Sequence, residues 1–446
     1  MNDREIKKQF IKIVIPIALQ NLLSSLVSAS DALMLGGLNQ SSLSAISLAT
    51  QVSFVINLFY LALASGTTIL AAQYWGSGKK ERVEDVLHVV LRYSCGISVF
   101  FWLLSLCCPE LLMRIFTNDT ELITLGIPYL RIAGWSYLCM GITQIYLCIM
   151  KNTGRTLRST VYSIMALLLN FCLNAILIYG LVGAPKMGIE GAALATVISR
   201  VVELVCIMTE NFKKDVTKFR LVGMIHFDRE LNRDFVKYTT PMLANTLAWG
   251  IGFTMFSVIM GHLGNDAVAA NSIANIVKSV ISCVCMGIGT GSGIIVGNIL
   301  GTGNLEKAKE VGNKMAKLSV VSGAISGGII LVLSPVIVAC AFTLTPVAKS
   351  YLQVMLIVCS YYIIGKSINV TVISGIFSAG GDTKFGLICD TITMWAIVVP
   401  LGFITAFVLK LPVLWVYVLL NIDEVIKLPV VYKNFKKYNW VRKIVK

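Results

Sequence analysis

The sequence predicts an all-α integral membrane protein, with twelve transmembrane helices arranged as two homologous six-helix bundles. Three observations carry that prediction. Of 446 residues, 56% are hydrophobic and only 14% are charged, where a soluble chain carries about a quarter charged residues. Twelve apolar runs reach the ~20 residues that a helix needs to cross the hydrocarbon core. A repeat in one register relates the two halves. The composition excludes an ordinary globular enzyme, a disordered chain and a disulfide-stapled secreted domain. The ten-residue alternation of a membrane barrel is absent.

The runs cover residues 12–35, 46–74, 86–108, 124–149, 158–182, 188–211, 236–261, 270–299, 316–343, 347–376, 384–409 and 412–435. A long polar stretch near 211–235 separates six from six. It divides the chain into an N-terminal bundle (1–211), a linker (212–235) and a C-terminal bundle (236–446). Shifted by 225 residues, Pro16 falls on Pro241, Gly36 on Gly261, Leu38 on Leu263, Gly66 on Gly291, Gly78 on Gly303 and Glu81 on Glu306. After a two-residue slip Gly154 and Thr156 match Gly381 and Thr383. Halves with an even number of helices insert the same way up, a recurring plan for secondary transporters.

The net charge of +15 is distributed between loops rather than gathered in a nucleic-acid surface. With the N-terminus inside, the cytoplasmic side receives Lys7, Lys8, Lys79, Lys80, Arg82, Lys151, Arg155, the linker residues Lys213, Lys214, Lys218 and Arg220, and Lys436, Lys437, Lys443 and Lys446. The outside receives only Arg114, Arg131, Lys186, Lys349 and Lys410. This bias puts both termini in the cytoplasm of a multi-pass protein of the cell's inner membrane. No cleavable signal peptide is expected at the N-terminus, because the apolar run behind it is too long.

The chemistry available is that of a carrier. Gly78-Lys79 superficially resembles the end of a phosphate-binding loop, but Gln73 and Lys80 stand where Gly and Ser/Thr are needed. No hydrolase motif occurs. The twelve cysteines form no C-x-x-C pair, and His88, His226 and His262 are far apart. No metal site, organic cofactor or catalytic residue is expected, so transport must draw on an ion gradient, H+ or Na+.

Polar groups at membrane depth are costly and usually functional. Asp31 has no cation within a turn or two on its helix, although Ser28 and Ser30 offer hydroxyls. Such a carboxyl can exchange a proton. Asp31 lies about 28 Å along the first helix and Asn174 about 23 Å along the fifth at 1.5 Å per residue, with Asn170 one turn below on the same face. The three can form an ion-coupling pocket. Asp390 has no partner at i±3 or i±4, whereas Asp423 and Glu424 precede Lys427 at ion-pair spacing. Asp390, Glu424, Lys278, Lys366 and Trp249 are secondary or substrate-contacting candidates. Lys278 and Lys366 are free to pair with Asp390 or Glu424, or to touch substrate. Gly287, Gly289, Gly291, Gly293 and Gly297 suit close helix packing. Pro16 and Pro241 sit where a helix can bend.

These residues resemble the MATE (multidrug and toxic compound extrusion) family. The likeness rests on Pro16, Asp31-Ala-Leu-Met-Leu-Gly36 and Ala45-x-Ser47, then Asn170, Asn174-x-x-Leu177-Ile-Tyr-Gly180 and Gly188-Ile-Glu-Gly191. In the second half it rests on Pro241, Leu263-Gly-Asn-Asp-Ala267, Gly297-Asn-Ile-Leu-Gly301, Gly381-Asp-Thr383, Trp395, Pro400, Glu424 and Trp440. It covers nearly the whole chain. It implies a V-shaped pair of bundles and export of organic cations against H+ or Na+, by a protein expected to be monomeric. It places Asp31 on the family's coupling aspartate and Asn170 on a site asparagine. Asn174 departs from a frequent Asp. Trp249 stands where the sodium-coupled branch has a glutamate, which favours H+. A helix 1 hinge near Pro16 is expected. A lipid-linked oligosaccharide flippase of the same superfamily is the alternative, with Lys278 and Lys366 its cations.

Overall fold

The apolar runs extend into helices longer than the hydrophobic stretch itself, because polar residues at their ends continue the same backbone. The computed structural model describes residues 3–36, 40–211, 228–342 and 344–445. The long helices are α1 (Asp3–Gly36), α2 (Gln40–Gly76), α3 (Lys80–Cys107), α4 (Thr120–Asn152), α5 (Thr156–Tyr179), α6 (Gly188–Glu210), α7 (Arg229–Gly261), α8 (Asn265–Thr302), α9 (Leu305–Cys340), α10 (Pro346–Phe377) and α11 (Thr383–Val408). Among the described residues there is no strand, and these 11 helices are long and apolar enough to cross a membrane. The twelfth run differs from expectation. It is two helices, α12 (Val413–Leu420) and α13 (Asp423–Lys436), broken at Asn421 and Ile422. The Asn421 amide turns back onto the Tyr417 carbonyl (2.9 Å), and a new helix starts at the acidic pair Asp423 and Glu424. Most of the linker (212–227, with Lys213, Lys214, Lys218, Arg220 and His226) lies outside the described residues, as do Leu38 and Lys446.

The repeat is visible in the helix ends. α2 and α8 begin 225 residues apart, as do α3 and α9. The matched glycines have a shared backbone reason. Gly78 and Gly303 have φ 77° and 83°, and Gly154 and Gly381 have φ 79° and 75°. All four lie in the left-handed region that favours glycine at a helix C-terminus.

Cα packing groups residues 22–239 in one unit and residues 1–21 with 240–446 in the other. The first 21 residues therefore pack with the C-terminal helices, although the sequence division groups them with the N-terminal ones. Glycine explains the contact. A Cβ at Gly291 would lie 2.5 Å from a Val14 methyl, and one at Gly287 would lie 3.0 Å from the Ala18 Cβ. Ile13 and Ile17 complete a core with Ile294, Ile295, Phe377 and Trp440. On the same helix Gly293 meets Gly375 of α10, where a Cβ would come within 3.3 Å of backbone. In the first unit, α3 and α4 approach through Gly141, where the Ser94 hydroxyl donates to the glycine carbonyl (2.6 Å). The Tyr60 hydroxyl lies 2.8 Å from Ser98 Oγ and donates to the Tyr137 carbonyl (3.2 Å). Just before α7, Asp228 accepts the Leu231 N–H (3.0 Å) and the Arg82 guanidinium (2.5 Å), which hold its carboxyl below the usual range.

The C-terminal segment is a packing element. Trp440 is fully buried and stacks on Phe435 (5.6 Å between centroids). Gly312 and Gly380 leave the room: a Cβ at the first would strike the Trp440 ring and at the second its carbonyl. Arg442 Nε donates to the Gly380 carbonyl (2.6 Å). Trp440→Ala is expected to cost about 3–5 kcal/mol, read as a lower unfolding midpoint in detergent. An unchanged midpoint would show that this segment does not fasten the unit.

Candidate functional site

In the unit formed by residues 22–239, Asp31 of α1 meets α5, and α5 in turn meets α6. Asn174 Nδ2 of α5 donates to Asp31 Oδ1 at 2.7 Å and lies 3.4 Å from Asn170 Oδ1. Asn170 Nδ2 in turn lies 3.4 Å from Thr196 Oγ1 of α6, whose hydroxyl donates to the Ala192 carbonyl at 3.0 Å. Asn170 and Asn174 share a helix face at i,i+4, which lines both amides up with the acid. A bond from the Tyr179 hydroxyl to the Met34 carbonyl (2.6 Å) ties the α5 end to α1. Asp31 is half-buried, and among the described residues no cation pairs with it. Its bond comes from Asn174, with none from Ser28 or Ser30 among the described residues. Asn174 is buried, and its Oδ1 is shielded without a partner among those residues. The arrangement can hold a proton or a cation on one carboxylate with amide oxygens beside it. Thr196 ends the family-like motif that begins at Gly188 but was not named among the site candidates.

The unit containing residues 240–446 holds a second polar group. Asp390 of α11 has both oxygens engaged: Asn245 Nδ2 of α7 donates to Oδ2 (2.9 Å) and Lys427 Nζ of α13 to Oδ1 (3.0 Å). Lys427 also reaches Glu424 Oε2 (3.1 Å), which accepts from Asn369 Nδ2 (2.7 Å). The expected Glu424–Lys427 pair is thus present, and the same ammonium serves Asp390 from another helix. Lys278 and Lys366 make neither of the pairings open to them with Asp390 and Glu424. Lys278 donates to Asn421 Oδ1 (3.1 Å) and sits 4.6 Å from the Tyr362 ring centre. Lys366 lies 5.7 Å from the same ring. Trp249 is part-exposed, stacked on Phe253 at 5.6 Å, and faces a small cleft shared with Asn245, Asp390, Met394, Asp423 and Lys427. Pro16 is buried within a continuous α1. Asn245, Asn369 and Asn421 were not singled out from sequence. Only Asn245 carried a signal, four residues before Trp249 on one face of α7.

Comparisons with known proteins agree with this architecture. The MatE family matches residues 16–176 and 241–404, one segment in each half of the sequence. The probable multidrug resistance protein NorM of Thermotoga maritima is 25% identical, with 99% of this chain and 94% of that protein covered. The uncharacterized transporter YisQ of Bacillus subtilis is 22% identical over 96% of this chain and 94% of its own length. Among solved structures, an outward-facing multidrug resistance MATE family transporter superposes with a TM-score of 0.89 at 21% identity, covering 97% of this chain and 96% of that one. A MOP superfamily transporter from Pyrococcus furiosus, described as having a binding pocket of reversed polarity, gives 0.88 at 21% over the same shares. With the family matched across both halves of a multi-pass helical chain, this protein belongs to the MatE family of membrane transporters.

Proposed function

We propose that this protein is a secondary-active multidrug exporter that moves organic cations outward in exchange for H+, with Asp31 as the group for which proton and cation compete. The observation that carries this reading is a lone carboxylate on a membrane helix, held by the Asn174 amide at 2.7 Å and paired with no cation among the described residues. Family membership and relatives named as multidrug resistance proteins support export.

In the proposed cycle, Asp31 takes a proton from outside. Neutralisation removes the charge that attracts a lipophilic cation, and the cation leaves. Helix α1 is suited to carry the change. Its residues 3–21 pack with one unit and its Asp31 segment with the other. Pro16, lacking a backbone N–H, weakens the helix close to that division. Asn170 and Asn174 supply oxygens and one donor but no second charge, so one elementary charge is exchanged at this site. Na+ at the same carboxylate is the fallback. Both termini are cytoplasmic in this reading, the protein works as a monomer in the inner membrane, and it catalyses no covalent reaction. The second reading, a flippase, would use the charges of Lys278 and Lys366, which both lie against the Tyr362 ring.

The test is efflux of a fluorescent organic cation from proteoliposomes with ΔpH and ΔNa+ imposed separately. Movement driven by ΔpH is expected. Movement driven by ΔNa+ alone would overturn the choice of ion, and movement under neither would overturn export of cations.

A further inference from the structure

Along one face of α13, Val425, Pro429, Tyr432 and Lys436 follow at i, i+4, i+7 and i+11, and all four are exposed. The face passes from apolar side chains to a tyrosine and then to an ammonium, with Lys436 Nζ 5.6 Å from the Tyr432 ring centre. That order marks the level where hydrocarbon gives way to lipid headgroups. The exposed face of α9 shows the same boundary: Lys314 and Lys317 precede Val321, Ile325 and Val332. At and beyond it, Lys433, Lys436, Lys437 and Lys443 are exposed, and no carboxylate among the described residues pairs with them. The nearby acids are engaged elsewhere. Glu310 holds Lys307 and Lys314 (2.9 and 2.7 Å), and Asp382 accepts the Asn434 amide (3.3 Å). Nor do these lysines ride on a loose tail. Trp440 is buried against Gly312, the Tyr438 hydroxyl lies 3.3 Å from the Asn313 amide of α9, and Val445 is buried. Setting membrane orientation needs the charge alone; it does not need a folded segment that holds the charge beside an exposed helix face.

We propose that this C-terminal segment is a binding surface for anionic phospholipid, with Lys433, Lys436, Lys437 and Lys443 attracting the headgroup phosphate and the Val425–Tyr432 face lying along the acyl chain. Basic clusters directly beside a membrane helix attract acidic lipid, and each lysine adds to the attraction. A zwitterionic headgroup carries no net charge and gains little from them. A free phosphate ion meets only exposed ammonium groups, which salt screens. A lipid phosphate reaches the same groups with its chain already seated on the helix face.

The test is titration of the purified full chain in neutral detergent with phosphatidylglycerol, phosphatidylcholine and glycerol 3-phosphate, each read by the rise in unfolding midpoint that binding to the folded state produces. Phosphatidylglycerol is expected to act at a concentration at least about tenfold below phosphatidylcholine, and glycerol 3-phosphate to have no effect. Combining Lys433→Gln, Lys436→Gln, Lys437→Gln and Lys443→Gln is expected to erase the preference and keep the response to phosphatidylcholine. Arginine at the same four positions is expected to keep the preference, since the charge is retained. The wild-type comparison does not depend on whether either variant folds. Equal response to the two lipids in the wild type overturns the proposal, as does a preference that survives the four glutamines in folded protein. A response to glycerol 3-phosphate equal to that of phosphatidylglycerol overturns the lipid in favour of a free anion.

Discussion

Asp31→Asn is expected to abolish ΔpH-driven export while leaving a folded, inserted protein. The substituted amide keeps an oxygen that can accept the Asn174 N–H, now at 2.7 Å, so the helix contact survives and the stability loss stays below about 1.5 kcal/mol. What disappears is the ability to change charge. Without it proton and cation no longer compete, and a fall in coupled flux of roughly tenfold or more is expected, equivalent to losing at least about 1.4 kcal/mol of coupling. The proteoliposome assay reads the flux, and size-exclusion profiles in detergent read the fold. Wild-type flux in the variant would remove Asp31 from the mechanism.

Lys427→Met is expected to have the largest effect on stability. The ammonium lies 3.0 Å from Asp390 and 3.1 Å from Glu424 and is only 8% exposed. Deleting it leaves two carboxylates facing each other's field in a poorly solvated place. Breaking a buried pair on one side costs about 3–5 kcal/mol, whereas replacing all partners by neutral groups is often close to neutral. The unfolding midpoint in detergent should therefore drop sharply for Lys427→Met. It should largely recover when Asp390→Asn and Glu424→Gln are added, a coupling that independent sites would not show. A single variant as stable as the parent would mean that water or another group already compensates these acids.

The N-terminal site was legible because a helix has a fixed rise and period. Counting residues put Asp31 and Asn174 at similar depth, and the i,i+4 spacing put Asn170 below, as the 2.7 and 3.4 Å contacts show. The repeat was legible because its glycines mark left-handed helix ends that a side chain would strain. The C-terminal site was less so. Asp390 looked unpaired because its partner lies 37 residues away on another helix. The orientation of Asp423, Glu424 and Lys427 depends on the break at Asn421 and Ile422, which restarts the helix at a phase that counting from residue 412 does not give. The π-helical stretches of α10 and α11 add a similar shift. Nor could the shared packing of α1 be read from charge and hydropathy. It depends on which small residues meet, such as Gly287 against Ala18 and Gly291 against Val14.

Competition at Asp31 can be read without a membrane. Purified protein in weakly buffered detergent, held near the pH at which Asp31 is half-protonated, is titrated with an organic cation while pH is recorded. Release of up to about half a proton per protein is expected from the wild type by linkage, and none from Asp31→Asn. Cation binding with no proton release from the wild type, or with release undiminished in the variant, would contradict exchange at this carboxylate.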